Sequence, residues 1–390
     1  MGDLILNSLE IRNFRGFQHL TIERLGRVNL IVGKNNIGKS SLLEALQLYA
    51  RRGSLASIAE IVERDVSPLP VVPYPPGSLY SGGIPDNLLP SVRYLFYGRR
   101  DIKESLERIQ IGPMNNQAEI LTIEMGWYTV QIEQGGNQKW KQIQSEEFDT
   151  VDNLYPRLIL QFGGQTKIEY PSELQYTVLS SSPRLRGYQE INCVSIPANG
   201  LDRGLIKLLW DQITITDLQE EVLSSLRIIA PGVQKLGFIA DPAKMPSTRF
   251  LSTVQGEVEH IPIVTIKGIP ERLPIRTLGD GMQRMLGIVL ALVNASDGML
   301  LIDEIENGIH YSVQPELWQV ILQLAHSLNV QVFATTHSWD SIEGFQKATQ
   351  EQKQEEGFLI RLGYKKSGVN AILFDEEELG IATRQQIEVR

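Results

Sequence analysis

Cysteine is almost absent from this chain: Cys193 alone occurs in 390 residues. A single thiol excludes an intramolecular disulfide framework and fits a reducing compartment, so a cytoplasmic location is expected. Cys193 lies in the apolar run from Ile191 to Ile196, which predicts a buried core thiol and not a reactive one. Long hydrophobic runs are missing as well. No stretch approaches the ~18 consecutive apolar residues of a membrane span. Met1-Gly2-Asp3-Leu4 has neither the basic nor the apolar region of a secretory signal, so none is expected. Positive charge is not in excess: 37 Lys and Arg face 46 Asp and Glu, a net charge of −9. Proteins that wrap nucleic acid need a basic stripe, because phosphate neutralisation supplies most of that affinity. Any nucleic-acid contact here would be confined to a local patch or to another subunit. No heptad pattern persists and no repeat of solenoid or propeller period recurs, which excludes a long coiled-coil arm and a repeat array.

What is present begins at residue 33. Gly33-Lys34-Asn35-Asn36-Ile37-Gly38-Lys39-Ser40 fits the pattern G-x-x-x-x-G-K-[ST] without a mismatch. It follows a short apolar, β-branched run, Val28–Val32, and precedes an amphipathic helix beginning near Ser40 and Ser41. Strand, glycine loop and helix form the context this motif requires. Gly33 and Gly38 let the backbone curl so that successive N–H groups point at phosphate oxygens. The helix N-terminus adds its positive end. Lys39 is expected on the β- and γ-phosphates, and the Ser40 hydroxyl on Mg2+. The chain is expected to bind a nucleoside triphosphate, ATP with Mg2+.

Two further strand ends complete that chemistry. Met299-Leu300-Leu301-Ile302 runs into Asp303-Glu304, a buried parallel strand presenting two carboxylates where open α/β sheets bind ligands. Asp303 would hold Mg2+ and Glu304 would orient the attacking water. One helix later, predicted from Ser312 to Leu328, Val330–Ala334 leads into Thr335-Thr336-His337-Ser338. His337 would then sit on the neighbouring strand tip, within reach of a γ-phosphate. Gly279-Asp280-Gly281, before an apolar helix from Met285 to Val293, is a second glycine turn at a helix N-terminus and hence a second anion site. One nucleotide needs one phosphate loop, so this turn is expected to grip a nucleotide held by another subunit.

Elsewhere the pattern is organisational. Leu9-Glu10-Ile11 and Leu20-Thr21-Ile22 read as strands around a turn at Asn13–Phe17. Residues 67–90 are rich in Pro, Gly and Ser and read as a loop. Alternation from Ile120 to Glu133 and from Leu158 to Phe162 predicts an antiparallel β insertion. Leu218, Val222, Leu226 and Ile229 predict a helix with Thr216-Asp217 at its cap. The consecutive run Asp375–Glu378 reads as a solvated helix start, since neighbouring carboxylates cannot converge on one metal.

The motifs together resemble the ABC-type ATPase heads, in particular their SMC/RecF-like branch. Asn13-Phe14-Arg15-Gly16-Phe17 resembles that branch's opening strand motif. Gly33–Ser40 resembles Walker A, Leu300–Glu304 Walker B, and Glu306–His310 a D-loop. His337 resembles the switch histidine, and Leu278–Arg284 a divergent signature motif with Gly-Asp-Gly for the usual Ser-Gly-Gly. The resemblance implies an α/β fold: an ABC-type head with a mixed sheet and flanking helices, formed by residues 1–50 and 271–345. A large α+β insertion over 51–270, partly within the head fold, and a tail segment over 346–390 complete the expected division. No glutamine is identified for the Q-loop. The resemblance extends to ATPases related to the OLD nucleases, whose head is fused to or encoded beside a Toprim nuclease in phage defence. The residues after His337 do not offer spaced acidic metal ligands. This chain is therefore expected to be an ATP-hydrolysing homodimer that switches a separate nuclease or other effector. A RecF-like clamp on DNA and a transporter ATPase are the alternatives.

Overall fold

The computed structural model describes residues 4–64, 92–99, 108–132, 138–143, 155–169, 189–241, 259–351, 357–366 and 368–385. Two alternating strands open it, β1 (Leu9–Phe14) and β2 (Phe17–Ile22), paired antiparallel around a turn with positive φ at Asn13 and Arg15. Leu9 and Ile11 are fully buried while Arg12 is exposed, so the period of two decides which face meets the core. β1 also pairs with β4 (Ile109–Gly112). Beyond it come β5 (Leu121–Ile132), β7 (Tyr155–Phe162) and β8 (Gln165–Glu169), with β6 (Gln138–Ile143) alongside β5. The predicted β insertion is thus one antiparallel sheet with the opening hairpin. The Pro-rich stretch at 67–90 lies outside the described residues.

A second sheet of six strands carries the site. It is built from β3 (Val28–Val32), β9 (Cys193–Ile196), β13 (Met299–Ile302), β14 (Gln331–Thr335), β15 (Gly357–Lys365) and β16 (Gly368–Phe374), in the order β16-β15-β3-β14-β13-β9. All neighbours are parallel except the edge pair β15–β16. β3, β13 and β14 are buried along their whole length, which explains why they read as mainly apolar runs. Val28, Leu30, Leu300, Ile302 and Val332 enter one core, packed by α3 (Arg203–Ile213), α4 (Leu218–Ile229), α5 (Asp280–Asn294), α6 (Gln314–Ser327) and α7 (Trp339–Glu351). Ile31, Met299, Leu301 and Phe333 enter the other, with α1 (Lys39–Ala50), α2 (Leu55–Glu63) and the antiparallel sheet. A three-stranded sheet, β10 (Val233–Ala240), β11 (His260–Ile266) and β12 (Ile269–Pro274), leans on α4 and α3.

Two expectations change here. Residues 357–374 are not a separate tail, because β15 pairs with β3 from Gly357↔Val28 to Arg361↔Val32. A partner strand more than 300 residues away leaves no local trace in sequence. The helix from 218 forms and buries Val222 and Leu226, but Asp217 makes no side-chain cap and is itself helical in φ and ψ. The capping instead appears at α8 (Glu376–Arg384), where Asp375 and Glu378 form a reciprocal capping box. Cys193 is buried, and burial pushes its thiol up to about 12. No helix among the described residues is long and apolar enough to cross a membrane.

Candidate active site

β3 delivers the chain into the phosphate loop at Gly33, with φ 149°, and the loop closes at Gly38, with φ 107°. Both glycines are required twice over. A Cβ on Gly33 would lie 2.7 Å from the Leu362 carbonyl oxygen, and one on Gly38 would lie 2.8 Å from Phe17 Cζ. The β15 strand and the β1–β2 hairpin therefore press directly on the loop. Gly38 caps α1 without a side-chain hydrogen bond, which leaves the helix N-terminus as a place for an anion. Lys39 folds back over the loop. Its Nζ donates to Gly33 O at 2.7 Å and Lys34 O at 3.2 Å, and meets His337 Nδ1 at 3.3 Å. Burial lowers its pKa, opposed by the Asp303, Glu304 and Glu306 carboxylates.

Opposite stands the end of β13. Asp303 Oδ2 accepts from Ser40 Oγ at 3.0 Å, and its Oδ1 accepts from Thr335 Oγ1 at 2.6 Å. Thr335 Oγ1 in turn accepts from the Glu304 N–H at 2.8 Å. Ser40 and Asp303 thus offer hard oxygen ligands at one point. Among the described residues no group of three or more His, Cys, Asp or Glu could hold a metal alone. One hydroxyl and one carboxylate, with phosphate and water filling an octahedron, suit Mg2+, so the residues fit that ion.

Glu304 sits in the left-handed region, φ 47°, a conformation costing about 1–3 kcal/mol outside glycine. Its carboxylate accepts from Asn307 Nδ2 at 2.6 Å and lies 3.6 Å from His337 Nε2. Because an ammonium only donates, Lys39 makes His337 Nδ1 the acceptor, and the ring proton falls on Nε2, towards Glu304. Glu306 fixes this histidine from behind, accepting from the His337 N–H at 2.7 Å and the Thr336 hydroxyl at 2.8 Å. Arg284 ties the strand ends together. Its Nη1 donates to Pro197 O at 3.0 Å and its Nη2 to Asp303 O and Glu304 O at 3.1 and 3.3 Å.

Asn35, Asn36, Ile37, Gly38, Lys39, Ser40 and Ser41 share a cleft of about 760 Å³ with Asp303, Glu304 and His337. Gly33 and Lys34 lie beneath it, through the carbonyls that hold Lys39. Gly279 and Gly281 do not line this cleft; Gly281 packs on the Gly308 carbonyl, and the Asp280 side chain lies outside the described residues. No glutamine lines the cleft among the described residues. Sequence reasoning missed Glu306, Asn307 and Arg284 as positioning groups, and Tyr364 and Val369 as lining groups. The first three lay inside motifs already singled out, yet their partners depend on strand order.

The comparisons divide along the same lines. A family model described as "AAA ATPase domain" matches residues 5–86, and one described as "AAA domain, putative AbiEii toxin, Type IV TA system" matches 268–342. An ATP/GTP phosphatase of Helicobacter pylori is 23% identical over 409 residues, spanning 96% of this chain and all of that one. The DNA replication and repair protein RecF of Thioalkalivibrio sulfidiphilus is 38% identical over 66 residues, 17% of each chain. Among solved structures, an SMC head bound to the C-winged helix domain of ScpA aligns over 96% of this chain and 99% of its own, at 12% identity and a TM-score of 0.47. The first family match contains the phosphate loop and the second contains Asp303, Glu304 and His337, the two walls of a single cleft. The chain is a P-loop ATPase, similar on both walls of its cleft to AAA ATPase domains.

Proposed function

We propose that this ATPase works as a nucleotide-driven switch, in which two copies close over two nucleotides and the closed state engages a separately encoded effector. The observation that supports it best is the meeting of Lys39, Ser40, Asp303, Glu304 and His337 at three adjacent strand ends. Backbone N–H groups of Asn35–Ser41 surround the phosphates. Lys39 exchanges its loop carbonyls for β- and γ-phosphate oxygens. Ser40 and Asp303 would hold Mg2+, which would neutralise phosphate charge. Glu304 orients the attacking water and accepts its proton, with Asn307 fixing the carboxylate. His337, its proton on Nε2, reads whether a γ-phosphate is present. Gly279, Asp280 and Gly281 of the second copy complete each site, since that turn stands at a helix N-terminus and does not line its own cleft.

The Helicobacter relative is named for both ATP and GTP, and we extend that breadth to this chain. The effector we propose is a Toprim-type nuclease acting in the cytoplasm against phage. The resemblance to OLD-type heads motivates this, and the net charge of −9 argues against a chain that grips DNA unaided. The short RecF match favours a second reading, a DNA clamp closed by ATP. Incubation of the purified protein with plasmid, Mg2+ and ATP tests both. Phosphate release without cleavage or a mobility shift is expected. Cleavage abolished by Lys39→Ala would contradict the separate effector, and ATP-dependent retention of DNA would establish the clamp.

A further inference from the structure

The nucleotide reading leaves one end of the cleft without a role. Tyr364 is the most exposed aromatic among the described residues, at 73%. Among the described residues no hydrogen bond, ion pair or ring contact engages it, unlike Tyr311, which lies 4.3 Å from His310, or Trp140, which carries the Arg157 guanidinium at 3.8 Å. An aromatic so exposed and so free of partners is unusual beside a functional cleft, and Tyr364 lines the one that holds Lys39. Its strand position is fixed. Leu362 presses its carbonyl and Cβ against Gly33 at the root of the phosphate loop. Two residues on, the same face of β15 presents Tyr364, roughly 7 Å further from the loop at the rise of a strand. Val369, 8% exposed, stands opposite Tyr364 in the β15–β16 register and lines the same cleft. The hairpin therefore sets an exposed aromatic beside an apolar neighbour in the lining of the cleft.

We propose that Tyr364 is the platform on which the nucleotide base stacks, and that it receives adenine and guanine alike. The proposal rests on the nucleoside triphosphate reading given above. A stacked base presents its π-face, which all bases share, so stacking gives affinity without selection. Sharp discrimination needs buried polar groups that the wrong base would leave unpaired. Tyr364 and Val369 supply no buried polar group: Tyr364 is 73% exposed and valine has no polar side-chain atom. The hairpin thus adds no preference between the two purines.

Calorimetric titration of the wild type, Tyr364→Ala, Tyr364→Phe and Lys39→Ala with Mg2+ and ATP, GTP or inorganic tripolyphosphate tests this. Tyr364→Ala should weaken ATP and GTP roughly tenfold or more, as loss of one stacked base does. It should leave tripolyphosphate within about twofold, because that ligand has no base, and Tyr364→Phe should behave as the wild type. Unchanged ATP affinity in Tyr364→Ala, or an equal loss for tripolyphosphate, would overturn the platform while leaving the phosphate site standing. A wild type with strong preference for one purine would overturn the tolerance. If wild type and Lys39→Ala bind all three ligands equally weakly, the nucleotide reading itself falls, and the platform with it.

Discussion

Lys39 Nζ meets His337 Nδ1 at 3.3 Å while holding the Gly33 and Lys34 carbonyls of its own loop. All three ammonium donors are occupied, so an incoming γ-phosphate must displace protein partners, and the histidine is among the first groups to register the exchange. The buried ammonium also has a lowered pKa, which gives a pH prediction with a definite sign. Polyphosphate favours the charged form, so ATP affinity should fall as pH rises through that depressed value, below the ordinary lysine range, with proton uptake on binding. Stability runs the other way. The unfolded lysine keeps its proton to higher pH than the folded one, so this group's penalty is full at low pH and relieved as pH rises towards 10.5. Calorimetry in buffers of different ionisation enthalpy measures the uptake, and its absence in Lys39→Ala identifies the group.

His337→Ala should lower turnover while leaving ATP affinity within a few-fold. A contact that matters chiefly when the γ-phosphate is in flight appears in kcat and not in binding. The substitution also frees the third Lys39 donor, so pre-steady-state binding should not slow. Equal loss of affinity and turnover, or a lost fold by circular dichroism, would mark the histidine as structural.

Gly38→Ala should disable the loop. The new Cβ would sit 2.8 Å from Phe17 Cζ, and Phe17 is 1% exposed with no room to retreat. The left-handed φ of 107° adds strain, and together these should destabilise the fold by about 1–3 kcal/mol in urea unfolding. Adding Phe17→Leu should recover only the steric part. Full recovery of stability would show that the backbone conformation at Gly38 is not required.

The two motifs and their strands were legible because their signals are local. Val28–Val32 and Met299–Ile302 are mainly apolar runs, as strands buried on both faces must be. Asp303 and Glu304 follow β13 immediately, His337 follows β14 within two residues, and Lys39 and Ser40 follow β3 across the phosphate loop. What escaped depends on distant pairing. Phe358-Leu359-Ile360 is as apolar as β3, yet nothing local says that it lies beside Val28–Val32 and brings Tyr364 to the cleft. Arg284 reads as one more polar residue in a helix start until strand order sets the Asp303 and Glu304 carbonyls beneath it. Asp217 does stand at the N-cap position of its helix, but its side chain makes no capping bond, for another reason. Residue type alone does not set φ and ψ, and Asp217 is already helical.

Glu304 gives the most direct test of the central claim, that this cleft hydrolyses the nucleotide it binds. The glutamate holds a strained backbone, φ 47°, beside Asp303 and faces His337 across 3.6 Å. Glu304→Gln keeps the shape and the Asn307 contact but cannot take a proton. Phosphate release from ATP should fall about 100-fold or more, the usual worth of a positioned base. Binding should stay within a few-fold of wild type, and light scattering should show the ATP-bound variant held as a dimer. Turnover at the wild-type rate in Glu304→Gln would contradict the assignment outright.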